Sequence, residues 1–230
     1  MSKNVLIHVF LLFLRQFRNC LIIEMNGVFL VMEIFKYGET EVNYLKKACP
    51  KLAVVIEEAG MLQRRVSPEP FEALVKSIVD QQISVKAAAT VFSRIENLVG
   101  EMKAENFLAK TDEELQSCGM SFRKVGYIKG MCAAVASGEL DLDGLANLPD
   151  KEVIAELVKL NGIGEWSAEM FMIFTSQRMD ILSYGDLIIR KAIMKLYGLD
   201  QLSKKDFEKY RALYSPYGSV ASMYLWYLGA

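Results

Sequence analysis

The sequence predicts an all-α protein of roughly ten helices, and three observations carry that expectation. Apolar residues recur at i, i+3, i+4 and i+7, as at Phe71, Leu74, Val75, Ile78 and Val79, which is the spacing of one buried helix face. Helix ends are marked by residues that satisfy them, such as the Thr-x-x-Glu capping box at Thr111 and Glu114. No alternating strand pattern exceeds a few residues. At 230 residues and 52% hydrophobic content, the chain can bury a core as one domain or two small lobes.

The elements follow in order. "TEVNYLKKACPKLAVVIEEAG", from Thr40, gives two short helices broken at Pro50, the second stopped by Gly60. "VSPEPFEALVKSIVDQQ" starts a helix with Ser67 or Glu69 near its cap and Pro70 in the first turn. "SVKAAATVFSRIENLVG" follows, capped by Ser84. "TDEELQSCG", "SFRKVGYIKGMCAAVASG", "DKEVIAELVKL", "EWSAEMFMIFTS", "DLIIRKAIMKLYG", "SKKDFEKYRALY" and "SPYGSVASMYLWYLG" complete the helical set. There is no long linker, repeat or low-complexity stretch.

Composition narrows the function. The formal net charge is −1 and the pI about 6.0, so no global basic footprint marks a nucleic-acid binder, and any contact with a polyanion is local. Cys20, Cys49, Cys118 and Cys132 are scattered without a C-x-x-C, which argues against a zinc or iron–sulfur site and a disulfide scaffold and fits a reducing compartment. The lone histidine, His8, lies in an apolar run and gives no basis for histidine catalysis.

Residues 1–31 differ from the rest. "VLIHVFLLFL" is too short to span a bilayer as a helix, and "RQFRNC" follows where a signal cleavage site would need small residues. Three readings stand: a weak membrane anchor, an added packing element, or an upstream extension with the working domain at 32–230. Removing residues 1–31 takes away Lys3, Arg15, Arg18 and Glu24 and moves the formal charge from −1 to −3.

The stretch "KLNGIGEWSAEMF" (159–171) carries the chemistry. Helix 150–159, a hairpin at 160–164 and helix 165–176 form a helix–hairpin–helix. Gly162 and Gly164 permit positive φ and leave backbone N–H groups uncovered at a helix start, which binds phosphate without lysine or arginine. Such a backbone site is invisible to composition, which reconciles it with an acidic pI. An ordinary αα-turn that uses glycine for close packing is the alternative.

Context extends this reading. "LNGIGEWSAE" resembles the hairpin of the helix-hairpin-helix DNA glycosylases, and "SYGDLIIRK" resembles the segment bearing that superfamily's acidic residue. Asp186 stands 20 positions after Trp166, the spacing of the branch that excises alkylated purines. "FEALVKSIVDQQISVKAAATVFSRI" (71–95) and "MSFRKVGYIKG" (120–130) resemble the same branch, 3-methyladenine DNA glycosylase II-like, and the similarity runs from Phe71 to Trp226. It implies a two-lobed helical fold with the cleft between lobes and no N-terminal β domain. Ser183-Tyr184-Gly185 departs from the proline-bearing approach to the aspartate in other members.

The resemblance implies a monofunctional glycosylase that hydrolyses the N-glycosidic bond of alkylated purines in duplex DNA. A non-catalytic DNA-binding module and a glycosylase for oxidised or deaminated bases are the alternatives. Asp186 would be catalytic, its fixed carboxylate stabilising an oxocarbenium-like sugar and orienting or deprotonating water; alone it reads as an N-cap. Trp166 and Trp226 would line the base pocket, with Met170 beside the ring and Tyr184 and Tyr224 as further candidates, and aromatic faces there attract a cationic alkylated purine; Trp166 alone reads as core. Gln82 would plug the space left by the flipped nucleotide, with Gln81 in support, and Ser84, where the next helix starts, would be a DNA-binding position; a solvated turn is the alternative for the two glutamines. Arg123 and Lys124 would contact phosphates, with Gly162 and Gly164. No side-chain metal site is implied, and no cofactor beyond a monovalent cation on hairpin backbone carbonyls. The implied partner is double-stranded DNA with damaged bases, met by a monomer without an obligate protein partner, in the cytoplasm or at a prokaryotic nucleoid.

Overall fold

A computed structural model describes residues 20–25 and 28–229, with side chains from residue 33 onward. The apolar run at 5–14, His8 and the readings of residues 1–19 lie outside the described residues.

The first described elements differ from the helical expectation. β1 (Cys20–Met25) and β2 (Val28–Glu33) pair antiparallel, with Cys20 opposite Glu33 and Met25 opposite Val28. These runs, CLIIEM and VFLVME, are nearly continuous in apolar residues, so a test for alternation passes over them. The signal that finds them is Asn26-Gly27 between two β-prone runs, the strongest short hairpin sequence. Two strands do not make a β domain.

Twelve α-helices follow among the described residues. They are α1 (Glu39–Ala48), α2 (Pro50–Ala59), α3 (Pro70–Asp80), α4 (Val85–Val99), α5 (Ala104–Leu108) and α6 (Asp112–Ser117). After them come α7 (Phe122–Ala136), a 3-10 turn at Gly144–Asn147, α8 (Asp150–Leu157), α9 (Glu165–Phe174), α10 (Leu187–Tyr197), α11 (Lys204–Tyr214) and α12 (Gly218–Gly229). The short α5 escaped the sequence reading because a five-residue segment shows no helical period.

Ends form where cap residues place them. Pro50 opens α2 and Gly60 closes it at φ +64°, a left-handed value glycine takes without a Cβ penalty. Ser84 Oγ accepts the Ala87 N–H at the start of α4, and Thr111 and Glu114 form the capping box of α6.

The helices form two groups. One is the run α3–α9, in which α3 packs on α4, α7 and α9, α5 and α6 pack on α7, and α8 packs on α9. The other joins α1 and α2 to the C-terminal α10, α11 and α12. The first group buries one stripe of each helix, such as Leu74, Val75, Ile78 and Val79 of α3. Each such side chain contributes about 1.5–3 kcal/mol on leaving water. The core is continuous across both groups. At the joint, the Ser67 N–H donates to the Phe174 carbonyl at 2.8 Å, and Glu33 and Phe35 pair through their backbones with Val66 and Arg64.

Candidate active site

The segment from 178 to 186 links α9 to α10 and is stitched down along its length. Arg178 gives one guanidinium nitrogen to Asp150 at 3.0 Å and another to the carbonyls of Leu145 and Leu148 at 3.1 and 2.8 Å. Asp180 accepts the Ser215 hydroxyl at 2.6 Å and the Gly218 N–H at 3.0 Å, which caps the start of α12. Ser219 Oγ accepts the Ile181 N–H, and Ser222 Oγ donates to the Ile181 carbonyl. The approach to Asp186 is thereby fixed against the helix that carries Trp226.

Asp186 is the N-cap of α10, at 6% exposure. Its Oδ1 accepts the N–H groups of Ile188 and Ile189 at 2.9 and 3.0 Å. Its Oδ2 accepts the indole N–H of Trp166 and that of Trp226, both at 3.1 Å. The chain has two tryptophans, and both point their only polar atom at one carboxylate oxygen. Trp166 comes from the start of α9 and Trp226 from α12, so the carboxylate sits where the two helix groups meet. N–H donors to a carboxylate make charge-assisted bonds, and the helix start adds favourable dipole potential.

Gly185 permits this convergence. A Cβ there would lie 3.2 Å from Trp166 Cβ, tighter than a side chain comfortably allows, and in ordinary contact with Ser183 Oγ at 3.5 Å. Trp226 stacks on Phe174 with centroids 5.6 Å apart and 25° between planes. Trp166 is 46% exposed and presents a free aromatic surface beside the carboxylate.

The hairpin is built differently at its two glycines. Gly162 has φ +89°, and a Cβ there would collide with the Tyr127 ring. Gly164 is extended, at φ −99° and ψ 175°, and a Cβ would meet nothing within 4 Å. The expectation of positive φ thus holds for Gly162 and fails for Gly164, whose openness leaves the start of α9 approachable. No side chain caps α9.

Gln81 ties the α3–α4 turn to this hairpin, its amide donating to the Gly162 carbonyl at 2.7 Å. Gln82 is exposed and has φ +58°, a left-handed conformation uncommon outside glycine and costing about 1–3 kcal/mol. Lys124 has partners within the protein. Its ammonium donates to the carbonyls of Val79 and Gln81 at 2.7 and 2.6 Å, which engages it with the open end of α3. Burial pushes its pKa below the ordinary lysine value. Arg123 beside it is exposed.

The remaining pocket candidates divide. Met170 is half-buried, one turn along α9 from Trp166. Tyr184 turns toward α11, edge-on to Phe207 at 5.3 Å with the Arg190 guanidinium 4.9 Å over its ring. Those contacts, and its hydroxyl 3.4 Å from the Leu202 carbonyl, engage it away from Asp186. Tyr224, also considered for the pocket, is fully buried and donates to the Gly60 carbonyl.

Sequence reasoning missed Glu169 and Ser183. Glu169 is 5% exposed, Ser183 is fully buried, and the Ser183 hydroxyl donates to the Glu169 carboxyl. Burial, outweighing the Ser183 hydrogen bond, pushes the Glu169 pKa above the ordinary glutamate value. The signal was available: Glu169 is the one acid inside the apolar run AEMFMIF. A 250 Å³ cavity lined by Pro68, Pro70, Leu145, Phe171 and Arg178 lies away from this constellation. The described residues contain no cluster of metal-ligating side chains.

A helix–hairpin–helix whose second helix begins beside a buried aspartate, at the junction of two helix groups, defines the class of site. The chain belongs to the HhH-GPD superfamily of base excision DNA repair proteins, whose family model matches residues 75–216. It is 31% identical over 163 residues to DNA-3-methyladenine glycosylase 1 of Schizosaccharomyces pombe, covering 69% of this chain and 72% of that one. A solved DNA-3-methyladenine glycosidase from Bacillus halodurans matches with TM-score 0.78 at 39% identity, over 86% of this chain and 93% of that one. A 3-methyladenine DNA glycosylase from S. pombe, solved in complex with abasic DNA, matches with TM-score 0.71 at 27% identity, over 81% and 95%.

Proposed function

We propose that the chain is a monofunctional DNA glycosylase that hydrolyses the N-glycosidic bond of alkylated purines, of the 3-methyladenine and 7-methylguanine type, in duplex DNA. The observation that carries this reading is the Asp186 carboxylate, fixed by four N–H donors beside the exposed face of Trp166. The named relatives support the substrate class.

The chemistry follows from the charges. An N-alkylated purine is cationic, so the carbon–nitrogen bond breaks with its electron pair leaving on the base, and positive charge develops on the sugar. A carboxylate held in a water-poor site stabilises that charge without reorganising. Water then adds to the sugar carbon and loses a proton, leaving an abasic site. Trp166 offers its aromatic face to the base, worth roughly 0.5–2 kcal/mol for a cation once desolvated. Selection is modest because the alkylated base already leaves readily.

Duplex DNA meets the protein on two turns. The start of α9, with Gly164 open, would take a backbone phosphate on its N–H groups. Hairpin carbonyls, Gly162's spare lone pair among them, would hold a monovalent cation, which would add positive charge for the same phosphate. Gln82 would fill the space of the extruded nucleotide. The enzyme would act as a monomer, in the cytoplasm or at the nucleoid; no described helix is long and apolar enough to cross a membrane.

The position two after Gly164 decides between hydrolase and lyase. An amine there would form a Schiff base with the sugar, but the residue is Trp166, whose indole nitrogen only donates. The expected products are free base and an intact strand with an alkali-labile abasic site. Borohydride is expected to trap no protein–DNA adduct, and a trapped adduct would end the monofunctional assignment.

A further inference from the structure

Both lone pairs on each oxygen of Asp186 are already in use. A carboxylate offers about four acceptor positions. Here the Ile188 and Ile189 N–H groups take Oδ1, and the Trp166 and Trp226 indoles take Oδ2. A water that must be oriented or deprotonated by this carboxylate needs one of those positions. One donor must leave, and the four are not equally free to do so.

The Ile188 and Ile189 N–H groups belong to the first turn of α10, and freeing them would unwind it. Trp226 is stacked on Phe174 and packed against the core. Its helix is fastened at its start by Asp180. Trp166 is 46% exposed, lies outside the core cluster and leans on Gly185 through Cβ and Cδ1. It is the one donor whose departure disturbs neither a helix turn nor a core stack.

We propose that Trp166 is an exchangeable donor guarding Asp186: binding of DNA at the cleft releases its indole N–H from Oδ2 and opens that position to the nucleophilic water. Trp226 is the fixed donor, a positioning residue that holds the carboxylate while the exchange takes place. The inference rests on the glycosylase reading above. It gives the free enzyme a capped carboxylate and the DNA complex an uncapped one.

The chain's two tryptophans make this measurable. In the 15N-labelled full chain, two indole N–H signals are expected, assigned with a Trp166→Phe variant. Duplex DNA carrying a tetrahydrofuran abasic analogue is then added. The Trp226 signal is expected to keep its hydrogen-bonded shift, whereas the Trp166 signal moves and its exchange with water accelerates about tenfold or more, the worth of a bond to a charged group. Retention of the Trp166 bond in the complex, or release of both indoles together, would overturn the exchange. Separately, Trp226→Phe is expected to slow single-turnover base release by about tenfold or more, with affinity for the abasic duplex retained; an unchanged rate would remove its positioning role. Base release by the wild type tells the two levels apart. A chain that excises bases with both indoles still bonded refutes only the exchange, and one that releases no base refutes the parent reading and the exchange with it.

Discussion

Glu169 is a single buried residue tied to the approach to Asp186. Its carboxyl is buried beneath the approach to Asp186, where it receives the Ser183 hydroxyl. Glu165 raises its pKa further, while Arg211 and Lys204 lower it, and burial dominates. A folded-state pKa above the ordinary 4.5 means that the group's contribution is fully present below pH 4.5 and is lost as pH rises through the raised value. Glu169→Gln keeps the acceptor for Ser183 and removes the ionisation. The melting temperature of the wild type, taken relative to this variant, is therefore expected to fall between acid and neutral pH. A difference that stays flat with pH would show that the carboxyl bears no such burden. The place of Glu169 inside the apolar run AEMFMIF signalled the burial, but the pairing was not legible, because it depends on which way residue 183 enters from the segment before α10.

At the scale of the element, substitutions at the hairpin's two glycines are expected to separate binding from folding. Gly162→Val forces a β-branched residue into φ +89° and against the Tyr127 ring, so it reports on stability first. Gly164→Val enters open space at φ −99°, a backbone that valine readily adopts. It is expected to leave the melting temperature within a few degrees and to weaken binding to undamaged duplex roughly tenfold, about one charge-assisted bond. Unchanged affinity with the fold intact would remove the backbone phosphate site. The helices themselves were legible because capping residues and the 3.6 period agree, as at Thr111, Ser84 and Pro70. The strand pair was not, because its apolar runs hide alternation and Asn26-Gly27 was passed over. The carbonyl partners of Lys124 were hidden for a related reason: a basic residue in sequence carries no record of whether it faces solvent or a helix end.

Across the whole molecule, the working unit is proposed to begin at Met32. Backbone pairing of Glu33 and Phe35 with Val66 and Arg64 lies after that point, as does every residue placed at the site. A chain shortened to start at Met32 is expected to melt within a few degrees of the full chain and to excise bases at the same rate. Loss of solubility or activity would make the preceding segment part of the core. The site was legible only at this scale. Asp186, Trp166 and Trp226 were each ordinary alone, as a cap and two core aromatics, and the order and spacing of several motifs singled them out. Their convergence on Oδ2 was not legible, since it joins residues 40 positions apart through two helix groups. The central claim is that this carboxylate performs the chemistry, and base release from methylated duplex DNA by the wild type and Asp186→Asn tests it most directly. The substitution is expected to cut release about 100-fold or more with binding to abasic duplex retained; equal release by the two proteins would contradict the account.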